Sequence, residues 1–233
     1  MQSVALLIVG DEVLAGEVED QNTPYALEAF TKHGVTVRRV VLAPDDPEVL
    51  FGEVRRLRPI ADALVISGGI GPTHDDQTRP ALAAALGLDL VTSEDAVLRI
   101  QGFYGDATTE AELSMAQVPE GSRIITGKTT DVFGFAVAGI YALPGVPFLF
   151  RDLVDGLIED FDGSPLTKAE IRTEQREGEV AVLLADVQSR HPDVAIGSYP
   201  VFEDGAWHVR VVLRGGDAAA VESLAEGLRG ELG

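Results

Sequence analysis

The chain has 233 residues, 45% of them hydrophobic, and its 18 Lys plus Arg against 38 Asp plus Glu leave a formal net charge of −20. Such a composition folds rather than staying disordered, has room for one ordinary core plus an appendage or for two modest domains, and argues against nucleic acid and anionic membrane as partners. There is no cysteine, which removes disulfide scaffolds, thiolate zinc sites and cysteine nucleophiles together and leaves His and carboxylate as the only metal ligands.

The first apolar run, SVALLIV at Ser3 to Val9, has no basic flank and is followed at once by DEVLAGEVED, so it reads as a strand and not as a signal peptide. No apolar stretch approaches the ~18 residues of a membrane span, and the protein is expected to be soluble and cytoplasmic. TPYALEAFTKHG reads as a helix, with Thr23 suited to the N-cap, Pro24 to the first turn and Gly34 to the stop. VTVRRVVLA is a strand, and DPEVLFGEVRRLR a helix opened by Asp46 and Pro47. ADALVIS is a third strand, and DDQTRPALAAALG a third helix, starting near Asp75 and closed by Gly87. This alternation implies right-handed crossovers and a mainly parallel α/β sheet.

From Leu88 to about Leu113 the polar text predicts surface helices, and SRIITG and FGFAVAGIYALPG predict further strands. VPFLFRDLVDGLIEDF is an amphipathic helix ending near Gly163, and DGSPLTK has the composition of a linker. The pattern then restarts as strand, helix, strand, strand, helix. We therefore expect an α/β domain over 1–164 and a small βαββα domain over 165–233.

In a parallel sheet the loops leaving the strand C-termini share one edge, where open α/β folds bind ligands. Three such loops are legible: GDEVLAGEVEDQN (Gly10 to Asn22), PDD, and SGGIGPTHDDQT (Ser67 to Thr78). In the last, Gly68, Gly69 and Gly71 let the backbone approach a ligand closely. Their amides, with those of the helix start, can cradle a phosphate. Thr73 and Thr78 add hydroxyls, and Pro72 stiffens the turn. Two aspartates, Asp75 and Asp76, exceed what a helix cap needs. With Asp11 and Glu12 at the neighbouring strand end they crowd an anion site, which is electrostatically costly unless a hard divalent cation bridges protein and phosphate. Asn22 can cap its helix or touch ligand, and Pro144 and Gly145 in YALPGVP form a possible further wall. The four His, at 33, 74, 191 and 208, show no metal-binding spacing.

Together GDEVLAGEVEDQN, SGGIGPTHDDQT and LPGVP resemble the molybdopterin-binding fold of the MoaB, MogA and gephyrin group, and within it the CinA branch. The resemblance covers about residues 1 to 160 and continues more weakly through the C-terminal unit. It implies a three-layer α/β core whose ligand is contacted by Gly68 to Thr73, with Asp76 in the place of the aspartate that MogA-like enzymes need for activating molybdopterin. Asp11 or Glu12 would line the same pocket. It further implies divalent-metal-dependent (Mg, Mn or Co) hydrolysis of ADP-ribose, or cleavage of a related dinucleotide, and a homo-oligomer. Two strings depart from the pattern. LPGVPFLF lacks the Glu that usually follows the last core strand, and TDVFGF (Thr130 to Phe135) replaces Gly-Thr-Ala-Pro-Gly-Phe. The chain has no room for the amidase domain of full-length CinA, so deamidation is not expected.

The expectation is therefore a metal-dependent nucleotide pyrophosphatase with Asp76, Asp11 and Glu12 in catalysis and Asp75, Asp76 and Asp11 on the metal. Gly10, Asn22, Ser67, Gly68, Gly69, Gly71, Pro72, Thr73, Thr78, Pro144 and Gly145 would hold a nucleotide or a pterin phosphate. The alternatives are a pterin- or nucleotide-binding protein without turnover and a molybdopterin adenylyltransferase.

Overall fold

A computed structural model describes residues 2–233 and divides the chain into two units, one ending at Gly163 and the other beginning at Ser164. The first unit opens with β1 (Ser3–Val9), α1 (Asp11–Leu14), α2 (Asn22–Lys32), β2 (Thr36–Ala43), α3 (Pro47–Leu57), β3 (Ala63–Ser67) and α4 (Thr78–Leu86). It continues with β4 (Leu90–Thr92), α5 (Glu94–Tyr104), α6 (Glu110–Ser114), β5 (Gln117–Pro119), β6 (Arg123–Thr126), β7 (Phe133–Val137), β8 (Ile140–Leu143) and α7 (Pro147–Leu157). The sheet order is β2-β1-β3-β8-β7-β6. The first four strands pair in parallel and the last two pairings are antiparallel.

All seven residues of β1 are buried, as a central strand covered on both faces requires. Side-chain alternation sends Ala5, Leu7 and Val9 towards Leu50, Val54 and Leu57 of α3 and Leu82 of α4. Val4 and Leu6 go the other way, to Ala26 and Phe30 of α2 and Phe150, Leu153 and Leu157 of α7. Helices on both faces of one sheet make the three-layer α/β architecture.

Local capping explains where the helices begin, and corrects the sequence in two places. Asp46 caps α3 as expected, accepting from the amides of Glu48 (2.9 Å) and Val49 (3.0 Å) with Pro47 in the first turn. Helix α2, by contrast, starts at Asn22, and Asp20 Oδ1 accepts from the amides of Asn22 and Thr23. Thr23 does not cap; its hydroxyl is buried without a partner. Helix α4 starts at Thr78 and not near Asp75, because the Asp76 side chain folds back onto its own loop. The stretch read as surface helices also contains a strand, β4, which pairs antiparallel with β5 just beyond it.

The second unit is β9 (Thr167–Thr173), α8 (Glu177–Arg190), β10 (Val194–Glu203), β11 (Ala206–Gly215) and α9 (Ala218–Leu232), the order read from sequence. Its antiparallel sheet runs β10-β11-β9. Asp204 and Gly205, both with positive φ, close the hairpin as a two-residue turn. Val209, Val211 and Leu213 pack with Val180, Leu184, Val221 and Leu228 into a core of its own.

Candidate ligand site at the strand ends

A cavity of about 650 Å³ opens at the C-terminal ends of β1, β3 and β8. Of the residues singled out by sequence, Gly10, Glu12, Asn22, Ser67, Gly68, Gly69, Gly71, Pro72, Asp75, Asp76, Pro144 and Gly145 line it. Asp11, Thr73 and Thr78 do not, though each holds a residue that does. Sheet order brings these loops together, since β3 lies between β1 and β8.

The glycine loop is built from inside. Gly68 and Gly69 take φ of +103° and +68°, and a Cβ on either would run into the Val9 carbonyl or the Thr78 hydroxyl. Gly68 N–H donates to the Leu143 carbonyl at 3.0 Å, fastening the loop to the end of β8. The Thr78 hydroxyl donates to the Gly68 carbonyl (2.9 Å) and is thereby turned away from a ligand. Asp76 accepts from the amides of Gly71 (2.7 Å) and Thr73 (2.8 Å) and from the Thr73 hydroxyl. Beneath the loop Arg79, only 7% exposed, donates to the carbonyls of Ile70 and Gly71. Burial pushes its guanidinium pKa down, and the Asp76 charge opposes this.

This geometry amends the expected phosphate cradle. The amides of Gly71 and Thr73 already serve Asp76, so they are not open to an anion. Among the described residues the N–H groups of Gly69 and Ile70 have no protein acceptor. With both neighbouring carbonyls, at 70 and 71, held inward by Arg79, these two amides are donors that the cavity-lining part of the loop retains for a ligand.

Asn22 ties three loops together: its Nδ2 donates to Ser67 Oγ (2.9 Å) and to the Gly145 carbonyl (2.7 Å). Its Oδ1 is buried with no partner. Gly145 has no room for a side chain without crowding Gly68, as a Cβ there would lie 3.3 Å from Gly68 Cα.

The acidic side of the site gathers around a residue that sequence reading did not single out. Asp45, in the PDD loop after β2, accepts from the Asp11 amide (3.1 Å), and its own amide donates to Asp11 Oδ1 (3.4 Å). Burial pushes the Asp45 carboxyl above the ordinary carboxylate value, the bond from the Asp11 amide pulls it back, and the charges of Asp11, Glu12 and Asp75 add to the rise. The first, second and third strand-end loops thus place mutually repelling carboxylates within one field. Among the described residues no three His, Asp or Glu side chains are grouped to hold a metal ion by themselves. The donor set is hard oxygen, which suits Mg²⁺-like ions held by one or two carboxylates plus ligand phosphate oxygens and water.

Other cavity residues were not named as site residues from sequence, although several of them fall in the TDVFGF string. Arg99, Ile100, Phe103 and Tyr104 come from α5, and Asp131, Val132 and Phe133 from the segment before and into β7. That segment is pinned by Asp152 of α7, whose Oδ1 accepts from the Thr129 amide (2.9 Å) and hydroxyl (2.8 Å) and whose Oδ2 accepts from those of Thr130 (2.9 and 2.7 Å). For α5 the signal is the helical spacing of Ala96, Arg99, Ile100 and Phe103, because i, i+3, i+4 and i+7 share a face. Leu149 lines the cavity where the resemblance led one to look for a Glu.

Comparison with known proteins agrees with this architecture. Residues 5–163 match the family described as "Probable molybdopterin binding domain", and residues 165–233 match "FAD synthase, middle domain". A protein of Archaeoglobus fulgidus is 30% identical over 84% of this chain and 84% of its own length. A CinA-like protein of Anaeromyxobacter dehalogenans (strain 2CP-C) is 32% identical over 93% of this chain, which spans 56% of that relative. For a CinA-like protein of Citrifermentans bemidjiense the figures are 36% identity, 65% of this chain and 38% of the relative. The crystal structure of CinA from Thermoplasma acidophilum, described there as of unknown function, superposes with a TM-score of 0.64 at 34% identity, covering 68% of this chain and 97% of that one.

Proposed function

Because this chain belongs to the molybdopterin-binding domain family, in its CinA-like branch, we propose that the strand-end cavity binds a phosphate-bearing nucleotide or pterin and hydrolyses a pyrophosphate bond, with ADP-ribose or a similar dinucleotide as substrate. The observation that carries this reading is the pair of acceptor-free amides, Gly69 and Ile70, on a cavity that Glu12, Asp45 and Asp75 also line. A diphosphate takes the amides. Asp75 and Asp45, the latter positioned by Asp11, would hold a divalent cation, which supplies charge neutralisation and an activated water for phosphoryl chemistry. The residues of the chain would do the rest: Arg79 and Asp76 keep the loop shaped so that the Gly69 and Ile70 amides can meet the phosphate, and Glu12 would accept a proton from an attacking water.

The test is AMP release. Purified protein is incubated with ADP-ribose, FAD and ATP, each with Mg²⁺, Mn²⁺ or Co²⁺, and with EDTA as control. Metal-dependent cleavage of a dinucleotide is the expected result. Tight binding without cleavage under every metal would replace this reading with a second one, a pterin or nucleotide carrier. That second reading draws on Leu149 lining the cavity and on Asp76 being committed to its own loop. Formation of an adenylylated pterin from ATP would instead identify a molybdopterin adenylyltransferase.

A further inference from the structure

Resting on the reading that the cavity accepts a phosphate-bearing ligand, we propose that Phe103 and Tyr104 form a platform on which the heteroaromatic ring of that ligand stacks. A volume of about 650 Å³ exceeds what a diphosphate fills and matches sites for whole nucleotide-sized ligands. The loop amides account for the charged part of such a ligand only. The α5 face accounts for the remainder: Ala96 and Ile100 are buried and anchor the helix, while one turn on Phe103 is 70% exposed and Tyr104 38% exposed. The two rings meet edge to face, with centroids 4.9 Å apart and planes at 79°. Adjacent aromatics left open to water while lining a concave site offer flat apolar surface at low conformational cost, and every heterocycle has a face that can use it.

The surroundings complete a ring site and not just a greasy rim. Arg99 lines the same cavity, steadied by Asp95 at 3.1 Å, and apart from Arg79 it is the one cation among the described lining residues. Asp131 offers acceptor oxygens for ring N–H groups, and Val132 and Phe133 offer apolar contact. These three follow directly on Thr129 and Thr130, which Asp152 fixes by four hydrogen bonds. These four bonds hold the base of this wall, which lowers the ordering that a ligand must impose on it.

The proposal is tested on the full chain with ligand-observed NMR and calorimetry, using adenosine, 6-hydroxymethylpterin, inorganic pyrophosphate and ADP-ribose in the presence of Mg²⁺. Phe103→Ala and Tyr104→Ala are compared with Leu98→Ala, a control on the same helix that is 68% exposed and does not line the cavity. The expected result is that both aromatic substitutions weaken ADP-ribose and the better of the two ring compounds, about tenfold, the scale of one lost base stack, for the ring whose face the ligand takes and less for the ring set edge-on to it. Pyrophosphate affinity stays unchanged and Leu98→Ala is silent. Which ring compound binds better identifies the source of the ring. The platform is refuted if ring ligands are unaffected, if pyrophosphate weakens equally, or if sedimentation shows that Phe103→Ala alters the oligomeric state while ring affinity is kept. A wild-type protein that binds a ring through Phe103 but ignores pyrophosphate overturns the phosphate reading and leaves the platform standing; one that binds neither overturns both.

Discussion

Asp152 Oδ2 receives both the amide and the hydroxyl of Thr130, at 2.9 and 2.7 Å, although the two residues lie 22 positions apart. Burial of this carboxyl, which is 9% exposed, raises its pKa, but the bonds from Thr130 and Thr129 outweigh burial and hold it below the ordinary value of 3.8. A carboxyl depressed in the folded state adds stability above its unfolded pKa and loses it as pH falls through the folded one. Asp152→Ala should therefore cost about 2 kcal/mol at neutral pH, with several donors left to water. Its unfolding midpoint should approach that of the wild type as pH drops below about 4. Thermal melts of both proteins across pH 2 to 7 measure the gap; a gap independent of pH would show that the charge of Asp152 is not what pins the segment.

Asn22 makes a second prediction, about donors. Asn22→Asp sets a carboxylate against the Gly145 carbonyl that the amide now donates to. A buried acceptor facing an acceptor costs more than a missing side chain. Urea unfolding should show Asn22→Asp destabilised by about 3 kcal/mol, and Asn22→Ala by about 2 kcal/mol. Wild-type stability in Asn22→Asp would mean that the three strand-end loops are not joined through this amide.

Two glycines with positive φ separate backbone strain from close packing. At Gly16, φ +71°, a Cβ meets nothing within 4 Å, whereas at Gly68, φ +103°, it meets the Val9 carbonyl. Gly16→Ala should cost about 1 kcal/mol, the price of a left-handed residue. Gly68→Ala should cost more, by about 2 kcal/mol or greater, because β1 and the loop must move apart. Chemical denaturation of the two variants side by side gives the comparison, and equal losses would contradict it.

Asp76 separates loop-building from chemistry. Asp76→Ala releases the amides of Gly71 and Thr73, so it should lose about 1 kcal/mol of stability, abolish turnover and still fold. Asp76→Asn keeps one acceptor oxygen and should recover part of the stability. If the charge of Asp76 takes part in the reaction, Asp76→Asn remains inactive in the AMP-release assay; wild-type turnover would confine Asp76 to shaping the loop.

Much of this protein is legible in its sequence. Periodicity and turn residues gave the strand-helix alternation, the βαββα order of the second unit and the cap at Asp46, because these depend on backbone preferences within a few residues. The loops placed at one sheet edge follow from parallel topology, and their motifs carried the family resemblance. The errors are local competitions. Thr23 was the natural N-cap by residue type, yet α2 begins one residue earlier, at Asn22, and Asp20 Oδ1 accepts from the amides of Asn22 and Thr23. Asp75 looked like a helix start, yet α4 waits until Thr78, because Asp76 bonds back to Gly71.

What sequence determined by itself was the inventory: a glycine loop, carboxylates at successive strand ends, and the order of elements that carries them. Only the tertiary structure decided which groups remain for a ligand. Gly71 and Thr73 lose their amides to Asp76 while Gly69 and Ile70 keep theirs, Asp45 joins Asp11, and Phe103 reaches a cavity begun at Gly10. The reason is that a hydrogen-bond donor serves one strong acceptor at a time, and which acceptor lies nearest is set by sheet order and side-chain packing between residues far apart in the chain, information that no short window of sequence holds.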